Sequence, residues 1–100
     1  MNQTTKSPSG TSFHGEAFRA SVSDLRQILG VPADANNSGQ DKTNFEWVME
    51  TETGDVFTVY DWKHYRPLDE NEIVDWHVGS RTPRGSQIAV NEIASALDTI

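Results

Sequence analysis

The stretch from Asp61 to Gly85, DWKHYRPLDENEIVDWHVGSRTPRG, gathers two Trp, two His, one Tyr and four of the eight basic residues of an otherwise acidic chain. Residues of these types serve three kinds of chemistry. Cations pair with phosphate, aromatic faces stack on planar rings, and imidazoles exchange protons or ligate metals. Lys63 and Arg66 follow one apolar run, while Arg81 and Arg84 follow another. If both runs end on the same edge of the domain, these four charges converge beside the start of the last helix. Free backbone N–H groups and the helix dipole favour an anion there, and Thr82 and Ser86 add hydroxyl groups. Trp62 and Tyr65 offer faces on which a base can stack, and His77 offers a hydrogen bond to a base edge or a phosphate. The competing reading makes the cations solvated loop charges and Trp62 a core residue.

Catalytic signatures are missing from the sequence: it has no phosphate-binding Gly loop, no HExxH, no nucleophile elbow and no EF-hand loop. Asp61, Asp75 and His77 could form an acid–base set, but near strand ends they read better as hydrogen-bonding or solvated groups. His14, His64 and His77 stand far apart in the chain and read as packed or surface histidines rather than as a metal site. The residues therefore lead to the expectation of a non-enzymatic protein with no metal and no cofactor.

The chain has 100 residues, too few for two separate hydrophobic cores. Its net charge of −7 argues against a binder of duplex nucleic acid, whose affinity would rest on neutralising phosphates. That charge still allows a local cationic pocket or a basic protein partner. With no Cys there are no disulfides and no thiolate chemistry, which fits a cytosolic setting. No apolar run approaches membrane-spanning length. The segment MNQTTKSPSGTS has no aliphatic residue after Met1, so residues 1–12 are expected to form a flexible tail ahead of one domain over 13–100.

The elements that must position the chemistry follow from periodicity and punctuation. FHGEAFRA (Phe13 to Ala20) reads as a first strand. SVSDLRQILG reads as a helix opened by a Ser21/Asp24 capping box, stopped by Gly30 and Pro32, and buried through Val22, Leu25, Ile28 and Leu29. NFEWVMETETGDVFTVYDW reads as a hairpin turning at Thr53, Gly54 and Asp55. If Thr51 pairs with Asp55, then Met49 faces Phe57 and Trp47 faces Val59 on one apolar side, with Phe45 beyond them. Glu46, Val48, Thr58, Tyr60 and Trp62 fall on a second, mixed side. EIVDWHVG (Glu72 to Gly79) reads as a further strand with Val74, Trp76 and Val78 inward. A loop then leads to a final helix whose apolar stripe includes Ala89, Val90, Ile93 and Leu97. The expected fold is α+β: an antiparallel sheet of about four strands, in the order β-α-β-β-β-α, with two helices packed on one face. Ile88 falls on the polar side of the last helix, which suggests a homo-oligomer formed through that helix.

KTNFEWVMETETGDVFTVYDWK followed by VDWHVGS resembles a widespread group of small phage proteins. They share a Glu/Asp-Trp strand, a strand ending in T-V/I-Y-D/N-W-K, and a W-H-I/V-G strand leading into a C-terminal helix. Asp61, Trp62 and Lys63 match the second pattern, and Trp76, His77 and Gly79 match the third. Ser80 departs from the pattern, which often has a second Gly there, so an anion contact from that loop is in doubt. The group looks like the phage anti-CBASS sponges, which capture cyclic dinucleotide immune signals without chemistry. The resemblance implies a binder of a cyclic (di)nucleotide acting in the host cytoplasm. Joined to the residue chemistry above, this reading gives the ligand residues as Trp62, Lys63, Tyr65, Arg66, His77, Arg81, Thr82 and Arg84. The alternative from charge alone is an acidic inhibitor that binds a host or defence protein.

Overall fold

The computed structural model describes residues 1–100. Its elements are β1 (Asn2–Gln3), β2 (Ser12–Ala20), α1 (Val22–Leu29), β3 (Glu46–Glu50), β4 (Val56–Tyr60), β5 (Val74–Ser80) and α2 (Pro83–Leu97). The five strands form one sheet in the order β1-β3-β4-β5-β2, with every pairing antiparallel. The fold is thus α+β, with one more strand than the apolar pattern shows.

The central hairpin has the register expected from alternation: Met49 lies opposite Phe57 and Trp47 opposite Val59. Thr51 N–H donates to the Asp55 carbonyl (2.9 Å) and Gly54 N–H to the Thr51 carbonyl (2.9 Å), closing the turn with Gly54 at φ 87°. Trp47, Met49, Phe57, Val59, Trp76 and Val78 point to the helix side and join Leu25, Leu29, Ala89 and Ile93 in a single buried cluster. Both buried indoles satisfy their N–H groups on backbone carbonyls, Trp47 on Gly30 and Trp76 on Ala20, each at 2.9 Å. Burying them therefore leaves no polar group unpaired.

The α1 capping box forms as read. Ser21 Oγ accepts from Asp24 N–H (3.0 Å), and the Asp24 carboxylate accepts from Ser21 N–H (3.2 Å). α2 starts earlier than the composition suggests. Pro83 occupies its first turn and the Thr82 hydroxyl caps it by accepting from Gly85 N–H (3.0 Å), so Arg84 and Ser86 are helical rather than in a loop. No helix is long and apolar enough to cross a membrane.

Residues 1–12 depart from the picture of a free tail. Asn2 and Gln3 pair with Glu50 and Met49 as the edge strand β1. The Gln3 amide donates to the carbonyls of Leu29 (3.1 Å) and Val31 (2.7 Å) at the end of α1. The Arg81 guanidinium donates to the carbonyls of Ser9 (3.1 Å) and Ser7 (2.8 Å). Backbone pairing and the polar side chains of Gln3 and Arg81 make these attachments, so a count of apolar residues does not reveal them.

Candidate functional site

The two helices cover one face of the sheet and leave the other open. Register places a row of side chains across that open face: Glu46 on β3 lies opposite Tyr60 on β4, which lies opposite His77 on β5. Directly opposed residues in a sheet have Cβ atoms about 5 Å apart, so these three are neighbours. Trp62 emerges just past the end of β4 and its ring meets both aromatic members of the row. It lies 6.0 Å from Tyr60, edge to face, and 6.3 Å from His77, nearly parallel at 25°. Tyr60 meets His77 edge to face at 5.6 Å. Phe13, opposite Gly79 on the neighbouring strand, stacks on His77 at 4.1 Å. Four rings thus form a continuous aromatic surface where the sheet has no helix.

Two cations border this surface. The Lys63 ammonium lies 5.5 Å and the Lys42 ammonium 5.8 Å from the centre of the Trp62 ring. Each is within cation–π reach and each is exposed at the surface. A cavity of about 290 Å³ opens beside the rings, lined by Thr58, Tyr60 and Gly79 together with Trp62 and Glu46, and edged by the 8–12 segment. A side chain at position 79 could not be accommodated without movement, because a Cβ there would lie 2.7 Å from Thr58 Oγ1.

The electrostatics of the row follow from its partial burial. Burial pushes the Glu46 carboxyl up, and the nearby Asp34 charge pushes it further. The Tyr60 hydroxyl is also raised, by burial and then by Glu46. His77 is lowered by burial, an effect that Asp75 only partly opposes, so its neutral imidazole is favoured.

The turn that carries Trp62 is held by a buried carboxylate. Asp61 is fully buried and accepts from Asn44 N–H (2.8 Å), Phe45 N–H (2.9 Å) and the Asn44 amide (2.9 Å). Those three bonds anchor the turn. Lys63 N–H donates to the Lys42 carbonyl (2.7 Å), which holds the two lysine backbones together beside Trp62. Lys63 and Tyr65 both adopt left-handed backbone angles, φ 57° and 53°, an uncommon conformation for side-chain-bearing residues.

The eight residues expected at one site divide into separate groups. Trp62, Lys63 and His77 meet on the open face. Tyr65 is exposed but joins none of the ring contacts there. Arg66 is engaged with the Glu72 carboxylate in a two-pronged ion pair that raises its own pKa and lowers that of Glu72. The convergence of Lys63 and Arg66 with Arg81 and Arg84 does not occur. β4 and β5 run antiparallel, with Tyr60 opposite His77 and Phe57 opposite Ser80. The strand exits at Trp62 and Arg81 therefore point to opposite ends of the sheet, separated by about 20 Å at 3.3 Å per residue. Arg81 is occupied by the 7–9 carbonyls, Thr82 caps α2, and Ser86 shares a buried hydroxyl contact with Ser80 (2.7 Å). Arg84 is exposed at the α2 end, away from the rings.

Glu46, Tyr60, Phe13 and Lys42 complete the site, although the motif-rich stretch from Asp61 to Gly85 does not contain them. The mixed side of the hairpin was the signal for Glu46 and Tyr60, since a carboxylate and a large aromatic on one strand face are a poor core. Ile88, expected at a contact between copies, is half-buried and lines a groove of about 540 Å³ with Met1, Ile28 and Ala96. No family model, curated protein or solved structure matches this chain.

Proposed function

We propose that this protein binds a small cyclic nucleotide on the open face of its sheet and sequesters it. As in the phage group its sequence resembles, the captured molecule would be a mono- or dinucleotide immune signal of the host. Action would be stoichiometric and in the host cytoplasm, with the ligand held and not converted. The observation that carries the reading is the cluster of Tyr60, Trp62 and His77 beside a cavity, with Lys42 and Lys63 against the Trp62 ring. Exposed rings stack on bases by about 1–3 kcal/mol per base, and adjacent ammonium groups attract phosphate. A locally cationic edge on a chain of net charge −7 also selects a small ligand over a long polyanion, which the rest of the surface repels.

A thermal-shift panel of cyclic mono- and dinucleotides, followed by chromatography of the recovered ligand, tests the proposal. The expected result is a raised melting temperature with at least one member and recovery of that ligand unchanged. No response across the panel overturns nucleotide binding, and capture of a basic host protein instead would support the acidic-inhibitor reading. Recovery of a converted product overturns sequestration and makes the protein an enzyme.

A further inference from the structure

Glu46 is the least explained group on the open face. Its backbone is fully used, its N–H donating to the Asp34 carbonyl (2.9 Å) and its own carbonyl accepting from Ala33 (2.7 Å) and Asp34 (3.1 Å). Its carboxylate, by contrast, lines the cavity without a hydrogen bond or ion pair from the protein, and Asp34 adds a like charge. Partly burying an unpaired carboxylate beside another carboxylate works against folding. The carboxylate is half-buried at the cavity wall, directly across from Tyr60 and on the Trp62 side of the sheet.

We propose that this cavity is a guanine-selective base site in which the Glu46 carboxylate reads the donor edge of the base. The inference rests on the nucleotide-binding reading above and specifies which base that reading requires. A carboxylate only accepts hydrogen bonds, and its two oxygens suit two parallel donors. Guanine presents such a pair in one plane, the N1–H and the N2 amino group. Adenine presents an acceptor nitrogen next to its amino group, which sets a lone pair against the carboxylate. Cytosine likewise offers one donor beside an acceptor, and uracil offers one N–H between two carbonyls. A site built around paired donors rejects bases that leave its acceptor unmatched.

The surroundings favour this class over a simple amine. Aromatic rings with a carboxylate also suit an alkylammonium ligand. Here, however, Lys42 and Lys63 already lie over Trp62, so they repel a cation and attract the phosphate of a nucleotide. Planar ring, donor edge and anion then each have a counterpart: Trp62 with Tyr60, Glu46, and the two lysines. The cavity, at about 290 Å³, is at the lower limit of small-ligand sites, so it holds one base and leaves the rest of a dinucleotide outside.

Calorimetric titration of the full chain with cyclic di-GMP, cyclic di-AMP and cyclic di-IMP tests the assignment. Cyclic di-IMP keeps N1–H but lacks the N2 amino group. The expected order is di-GMP, then di-IMP, then di-AMP, with about tenfold or more between neighbours, the value of one charge-assisted hydrogen bond. In Glu46→Gln the advantage of di-GMP over di-AMP should collapse toward unity while nucleotide binding persists. Equal or tighter binding of di-AMP by wild type overturns guanine selectivity and leaves nucleotide binding intact. Retention of the full preference in Glu46→Gln overturns the role of Glu46. Binding of none of the three overturns both the inference and the reading beneath it.

Discussion

Glu46 and Asp61 show how two carboxylates of one hairpin take opposite roles. Asp61 has three donors and no exposure, so it serves the fold. Asp61→Ala should strand those donors and cost about 3 kcal/mol in chemical denaturation, since unsatisfied buried groups cost about 1–3 kcal/mol apiece. A loss under 1 kcal/mol would mean that water replaces the carboxylate. Glu46 has no donor and a raised pKa, so its ionised form disfavours the folded state. A raised carboxyl pKa contributes stability that is complete below the ordinary value of about 4.5 and is lost as pH rises through the folded-state value. Glu46→Gln should therefore raise the melting temperature at pH 7, and the gain should shrink as pH falls toward that ordinary value. A lower melting temperature at pH 7 would show that Glu46 supports the fold instead of a ligand. At this scale the sequence was only partly legible. It marked Trp62, Lys63 and His77, but Asp61 could be told from Glu46 only by knowing which backbone N–H groups each one meets.

The elements were more legible than the residues. Strict alternation through Trp47, Met49, Phe57 and Val59 determined the hairpin register, and the capping residues determined the start of α1. Gly54→Val should cost about 1 kcal/mol or more in thermal or denaturant unfolding, because a β-branched residue opposes the φ of 87° in the turn. Unchanged stability would mean that the turn relaxes to another form. The error about the four cations was also one of elements. Each strand end falls within two residues of its expected place, but β4 and β5 are neighbours, and antiparallel neighbours send successive exits to opposite ends. β1 escaped notice because a two-residue edge strand leaves no periodicity. The left-handed turns at Lys63 and Tyr65 escaped because neither residue type favours them.

For the molecule as a whole, the helices bury one sheet face and the N-terminal segment borders the other. Arg81 fastens that segment through Ser7 and Ser9, and Pro8, Thr11 and Ser12 edge the cavity. Under the proposed function Arg81 is a positioning residue. Arg81→Ala should weaken nucleotide binding several-fold with the far-ultraviolet circular dichroism retained, whereas unchanged affinity would free the segment from any part in the site. Antiparallel pairing, two buried Trp and an open face carrying a third make a simple optical test available. Trp47 and Trp76 are 0% exposed, while Trp62 is 41% exposed and packs against Tyr60 and His77 in the ring cluster. The account predicts that titrating cyclic di-GMP into the protein quenches Trp62 emission saturably and that Trp62→Phe removes the response. Calorimetric binding with no change in Trp62 emission, or no binding at all, would contradict it.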